Sequence, residues 1–346
     1  MWVARFLIAA LLLLAATGCT QPSMGARPEV PLPATVAPTA SLAGAPPRAP
    51  KPHHYPDRPI TILVGSPKGS SAELAARILA ARLEKEFQNP VVLAYRTGGD
   101  GQESWTQLNS SKPDGHTLGL VSSPQIQAGI LGSRGSAQLS LNGLVPLAGH
   151  IQDPTTLFVR SGSPFRGVEE FITAARAQPD RIPVSIPDKS VASSLAAEEL
   201  QSKAGLKLKV SPFVDGNNAL LAALGGQTEA AIGSYSSALP MVRSGQGRFL
   251  AVLADERLPS EPMLPTLREK GVDVVAQTSL GYAVAQNVAP DILDYLRWSL
   301  YLCIADPNHQ MKLRDAGLQV KYMDGKQFAA LLNWEGERVG RLMKKK

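Results

Sequence analysis

The segment from Val64 to Phe87, VGSPKGSSAELAARILAARLEKEF, sets Ser66, Lys68, Gly69, Ser70 and Ser71 in a loop between a short apolar run and an amphipathic one. The first amides of a helix lack intrahelical partners, and the helix dipole places about half a positive charge there. Three serine hydroxyls add donors and Lys68 adds a full cation, a chemistry that suits an anion. The same residues also suit a plain cap, because serine caps helices whatever their role. On local grounds the two readings stand level. Phosphate transfer has no support, since Lys68 precedes Gly69, whereas a Walker A loop requires G-x-x-x-x-G-K-[ST].

Nucleophilic or metal chemistry finds little to work with. The histidines are His53, His54, His116, His150 and His309, and none sits in a nucleophile-elbow or zinc-ligand pattern. A covalent mechanism needs a base beside its nucleophile, and none is evident. Cys303, in the apolar stretch DYLRWSLYLCIAD, reads as a buried structural thiol. No enzyme, no metal and no cofactor is therefore expected; an exported hydrolase is the disfavoured alternative.

The elements that must position the loop follow a rhythm of strand, glycine turn and helix. Residues 60–64 read as a buried strand and 71–87 as a helix with Leu74, Ile78, Leu79, Leu83 and Phe87 on one face. VVLAY supplies a second strand, RTGGDGQES a second glycine loop into a helix over 102–111, and TLGLV a third strand that delivers Ser122, Ser123 and Pro124 at its end. Alternation of this kind predicts an α/β fold with a largely parallel sheet, and ligands beyond the carboxyl ends of its strands. At 346 residues and 44% hydrophobic the chain can build real cores. Its net charge of +6 comes partly from Arg338, Arg341 and Lys344 to Lys346, read as solvating a helix end. With 5% aromatic residues and no basic stripe or zinc spacing, nucleic acid is excluded as a partner.

The amino terminus, MWVARFLIAALLLLAATGCT, has one early positive charge, an apolar run too short for a membrane span, and small residues before a cysteine. It reads as a signal peptide over 1–18, and the tetrad ending in Cys19 resembles the bacterial lipobox, which implies lipidation of Cys19. Residues 19–54 are rich in Pro and Ala and read as a disordered tether, with His53 and His54 as linker.

A wider resemblance is carried in order along the chain by YPDRPI, PKGSSAE, YRTGGDG, PDGHTL and the block SPFVDGNNALLAALGGQTEAAIGSYSSALP. These segments resemble the Bug or TctC-type extracytoplasmic solute receptors, the substrate-binding proteins of tripartite tricarboxylate transporters. The resemblance implies a two-lobed, type II periplasmic-binding-protein clamshell. Lobe one would hold residues 55–160 and 279–346, and lobe two 161–278. It implies a monomer in the periplasm, lipid-anchored, to the outer membrane rather than the inner, with permease subunits as partners and a small organic acid as ligand. The residues it points to are Ser66, Lys68, Gly69, Ser70, Ser71, Ser122 and Ser123 from lobe one. From lobe two it points to Ser190, Ser193, Asp215, Gly216, Asn217, Ser234 and Tyr235, with Tyr235 either stacking on the ligand or packing beneath the lobe. Arg96 is expected to brace its loop. Several positions depart from the family pattern, among them Lys68, Ser70, Glu73, Tyr95, Asp100 and Leu280. These departures admit a sensor or surface scaffold that has lost transport.

Overall fold

The computed structural model describes residues 45–132 and 140–344, so the signal-peptide segment 1–18, Cys19 and most of the tether lie outside the described residues. The last part of the expected tether is part of the folded body. Ala49 packs against the first core and the Lys51 ammonium donates to the Phe87 carbonyl at 3.5 Å. Ordered packing thus begins before Tyr55.

Among the described residues ten strands form one sheet: β1 (Ile60–Val64), β2 (Val91–Tyr95), β3 (Thr117–Ser123), β4 (Leu144–Arg160), β5 (Pro183–Pro187), β6 (Lys209–Phe213), β7 (Ala230–Ser234), β8 (Gly247–Val252), β9 (Gln277–Ala285) and β10 (Gln319–Asp324). The helices are α1 (Ser71–Phe87), α2 (Gln102–Asn109), α3 (Gln125–Gly132), α4 (Val168–Ala177), α5 (Val191–Ala204), α6 (Gly216–Leu224), α7 (Tyr235–Arg243), α8 (Pro290–Ala305), α9 (Pro307–Asp315) and α10 (Gly325–Met343). The strand order is β2-β1-β3-β9-β4-β7-β5-β6, with β10 and β8 each also paired to β4. Parallel ladders join β1 to β2 and β3, and β5 to β6 and β7, as the β/α rhythm predicts. Every ladder of β4 and β9 among the described residues is antiparallel. These two strands carry the chain out of one lobe and back into it, and a path that leaves and returns along one axis must reverse direction.

β4 is the spine. Its residues 144–154 pair with β9 in lobe one, and 155–158 pair with β7 in lobe two. Separate cores flank it. In lobe one, Ile62, Leu79, Leu83, Ile151, Tyr282, Leu300 and Cys303 form one cluster; in lobe two, Leu157, Phe171, Val184, Leu200 and Ile232 form another. Each aliphatic side chain fully buried this way contributes about 1.5–3 kcal/mol, so each lobe has its own source of stability. Burial pushes the Cys303 thiol up to about 12, which keeps it protonated and inert.

The charged tail needs a correction. Arg338 does not solvate a helix end: it is 7% exposed, on the inner side of α10. Its partners lie far away in sequence, which is why it reads as part of a terminal basic cluster when only neighbours are considered.

Candidate functional site

The loop from Gly65 to Ser71 is held close to the second glycine loop. A Cβ at Gly65 would lie 2.7 Å from the Gly101 Cα and 2.8 Å from the Ser104 hydroxyl, so only glycine fits at the end of β1. Gly69 has a positive φ of 83°, a turn conformation that glycine adopts without strain. The loop then enters α1 through a reciprocal cap. Ser70 Oγ accepts from the Glu73 amide at 3.2 Å, and Glu73 Oε2 accepts from the Gly69 amide at 3.2 Å. This is the capping-box arrangement, moved back by one residue on the return side. Glu73 is 4% exposed and also accepts from Tyr95 and Arg77, each at 3.2 Å. Lys68 is exposed, with its ammonium 4.7 Å from the centre of the Tyr95 ring. The Gly69 amide and the cation of the loop thus have partners within the lobe.

The next residue faces the seam. Ser71 lies within hydrogen-bonding reach of the carboxylate of Asp153, which projects from β4 and is 3% exposed. From the other lobe, the start of α7 meets the same carboxylate. The Ser236 amide donates to Asp153 Oδ1 at 3.1 Å and the Ser236 hydroxyl donates to Oδ2, while the nearby Ser234 hydroxyl donates to Ser237 Oγ at 2.8 Å. Burial pushes the Asp153 carboxyl up to about 6, while the Ser236, Ser71 and Ser234 donors pull it down. Helix starts of both lobes converge on one acid from the spine strand.

The opposite face of the crossing strands carries a second polar group. Ser123 of β3 lies across from Ser279 of β9, and Ser279 across from Gln152 of β4. Residues directly opposite in antiparallel ladders share a face. The Ser123 hydroxyl and the Gln152 amide nitrogen are buried without a partner among the described residues. A buried donor left so costs about 1–3 kcal/mol, and is ordinarily kept for water or a ligand. Above this region α5 touches α3, β4 and β9. Ser190 caps α5 by accepting from the Ser193 amide at 3.2 Å and donating to the Ser193 hydroxyl at 3.0 Å.

The remaining sequence-selected residues divide. Ser66 and Ser122 are half-buried at strand ends. Asp215 caps α6, accepting from the Asn218 amide at 2.8 Å, and Asn217 is exposed beside it. Gly216 lies near the end of β5 and the start of α7, since a Cβ there would be 3.9 Å from Pro187 and from Ser237. Tyr235 takes the packing alternative: it is 1% exposed among Leu239, Val252, Leu258 and Leu264, with its hydroxyl 3.3 Å from Ser260 and Glu261. Arg96 braces its loop through the Gln107 side chain and the Tyr95 carbonyl. A cavity of about 180 Å³ between β3, β4, β9 and α10 has none of the selected residues in its lining. Asp153, Gln152, Ser236 and Ser279 were not singled out by sequence reasoning. The one local signal is an acid in HIQDPTTLFV, an otherwise apolar strand.

Two further ties cross the seam. Lys189, before α5, pairs with Asp100 of the glycine loop at 2.7 Å, both exposed. Arg338 of α10 reaches Glu199 of α5 at 3.0 Å, Glu335 at 3.0 Å and the Val275 carbonyl at 2.8 Å. Burial pushes Glu335 up to about 7 against the pull of Arg338. Leu195 of α5 and Val339 of α10 share a small apolar cluster beside this network.

Known proteins place this architecture. Residues 75–346 match the tripartite tricarboxylate transporter family receptor, TctC. The chain is 30% identical over 241 residues to protein BugT of Bordetella pertussis, covering 69% of this chain and 74% of BugT. A TctC solute-binding protein from Polaromonas superposes with a TM-score of 0.73 at 25% identity, over 84% of this chain and all of that one. R. palustris Rpa4515, solved with adipate, superposes with a TM-score of 0.73 at 21% identity, over 84% of this chain and 97% of that one. A periplasmic clamshell fold, a match across most of the chain and helix starts meeting at a seam agree: the chain belongs to the TctC family of tripartite tricarboxylate transporter receptors, which bind solutes and are not catalysts.

Proposed function

We propose that the chain captures a small organic anion, a carboxylate, between its lobes and delivers it to the permease subunits of a tripartite transporter. The observation that carries this reading is the buried, unpartnered pair of donors, Ser123 Oγ on β3 and Gln152 Nε2 on β4, which flank the crossing strand β9. The cleft draws on Ser66, Gly69, Ser70 and Ser122 from lobe one and on Ser190, Ser193 and Gly216 from lobe two, while Ser71 and Ser234 line it on the Asp153 side. Lys68, Asp215 and Asn217 act from its exposed rim, and Tyr235 supports the start of α7 from below. The adipate seen with the R. palustris neighbour is a ligand of the same chemical class. Cys19, lipidated after removal of residues 1–18, anchors the monomer to the periplasmic face of the outer membrane through a Pro/Ala-rich tether.

A second reading, a sensor or surface scaffold without transport, has one observation in its favour: the lobes are tied to each other by their own side chains. A thermal-shift screen separates the two. A ligand at 100 times its dissociation constant adds about 2.7 kcal/mol, so at least one acid from a panel of mono-, di- and tricarboxylates should raise the melting temperature by several degrees. No shift across the panel leaves the scaffold, and turnover of any compound returns the enzyme.

A further inference from the structure

Two helix starts that converge from different lobes on one point make an anion seat, because each offers free amides and the positive end of a dipole. Here the seat is filled from within. Asp153 accepts from the amide and hydroxyl of Ser236 at the start of α7, and Ser71 at the start of α1 lies within hydrogen-bonding reach of it. α7 has no side-chain cap of its own from Ser234, so Asp153 takes over that office from another strand. The acid comes from the strand shared by both lobes, and its contacts reach one lobe through Ser71 and the other through Ser236. Donors that would meet a ligand carboxylate at this point are already engaged, and a second negative charge brought beside Asp153 would be repelled in a dry site. What stays unengaged is the pair Ser123 and Gln152 on the other face.

Building on the receptor reading above, we propose that Asp153 is a resident substitute for a ligand carboxylate. It ties the two lobes together in the ligand-free protein and restricts the site to acids with a single carboxylate, turning away diacids. Asp153 is thereby a specificity-determining residue, and the diacid class seen with the R. palustris neighbour is the one this chain excludes.

The test uses the purified full chain, as wild type and as Asp153→Ser, which empties the seat without adding charge. The probes are hexanoate and adipate, six-carbon acids differing in the second carboxylate, with butyrate and succinate as a shorter pair. Calorimetry should show wild type preferring the monoacid of a pair at least about tenfold, and Asp153→Ser gaining about tenfold or more for the diacid. Small-angle scattering without ligand should show a larger radius of gyration for Asp153→Ser. Ser236→Ala keeps the charge but loses a donor, so it should expand the particle without gaining diacid affinity. It also serves where Asp153→Ser fails to fold. If Asp153 were only a helix cap, its loss would lower the melting temperature and leave the monoacid-to-diacid ratio unchanged, which overturns the inference. So does a wild type that prefers diacids, or scattering that is identical for all three proteins. Wild type binding monoacids with no diacid gain in Asp153→Ser sinks this inference alone. Acids bound by neither protein sink the receptor reading and the selectivity together.

Discussion

The seam between the lobes is crossed by two buried acid sites that solve the same problem differently. Around Asp153 the negative charge is met by neutral donors, the amide and hydroxyl of Ser236 with Ser71 beside them. Around Glu335 it is met by a full cation, the Arg338 guanidinium, shared with Glu199 and the Val275 carbonyl. A carboxylate held by dipoles keeps its charge exposed to whatever arrives beside it. One held by a guanidinium is cancelled on the spot. The first arrangement suits a place where charge must be sensed, and the second suits a joint.

Removing the cation should have the largest effect. Arg338→Met leaves Glu335 and Glu199 facing each other without compensation, and stranding one partner of a buried pair typically costs about 3–5 kcal/mol. Urea unfolding should register a loss of that order. Adding Glu335→Leu to Arg338→Met should recover much of it, since an apolar replacement of a buried pair is often neutral. A single variant as stable as wild type would mean that the network contributes no more than a surface pair.

The Asp153 site should instead reveal itself through pH. Its folded pKa, about 6, lies above the unfolded value of 3.8. Between those values the folded protein holds the proton that the unfolded chain has lost. Stability from this group is therefore highest below pH 4, falls as pH rises from about 4 to about 6, and stays reduced above. Glu335, raised to about 7 from 4.5, acts in the same direction. His309, lowered to about 4 from 6.5 by burial, acts oppositely, because the folded state resists its protonation. Subtracting the stability curve of Asp153→Asn from that of wild type isolates the acid. The difference should fall across pH 4–6 and be flat from 7 to 8; a flat difference throughout would mean that Asp153 is solvated.

The contrast also marks how far local sequence reaches. α1 is legible to the residue because its signals are local: Ser70 and Glu73 cap one end, and Gln88 in the left-handed conformation with Pro90 beyond stops the other. β4 is not. Pro146 and Pro154 lie inside it, and a proline within a strand pattern argues locally against a strand. Yet β4 begins at Leu144, and its ladder with β9 absorbs Pro146 and turns the later residues with two register shifts. Asp153 sits between those prolines, 83 residues from Ser236, and Arg338 sits 139 residues from Glu199. Partners that distant leave no periodicity to find. The loops around the site were visible in the sequence, whereas the acid that fills it was not.

The smallest effect should come from the tie that the sequence flagged most openly, the negative charge of Asp100 within a glycine turn. Lys189 meets it at 2.7 Å, and the Asp100 pairing raises the Lys189 pKa, yet both side chains remain in solvent. Ion pairs of this kind are screened by salt and offset by the entropy of holding two side chains in place. Lys189→Ala should leave the melting temperature unchanged at 0.15 M salt, and any shift at low ionic strength should vanish as salt is added. Should Lys189→Ala expand the ligand-free particle as much as Asp153→Ser does, the latch would lie at the rim of the seam, and the buried acid would be a helix cap and nothing more.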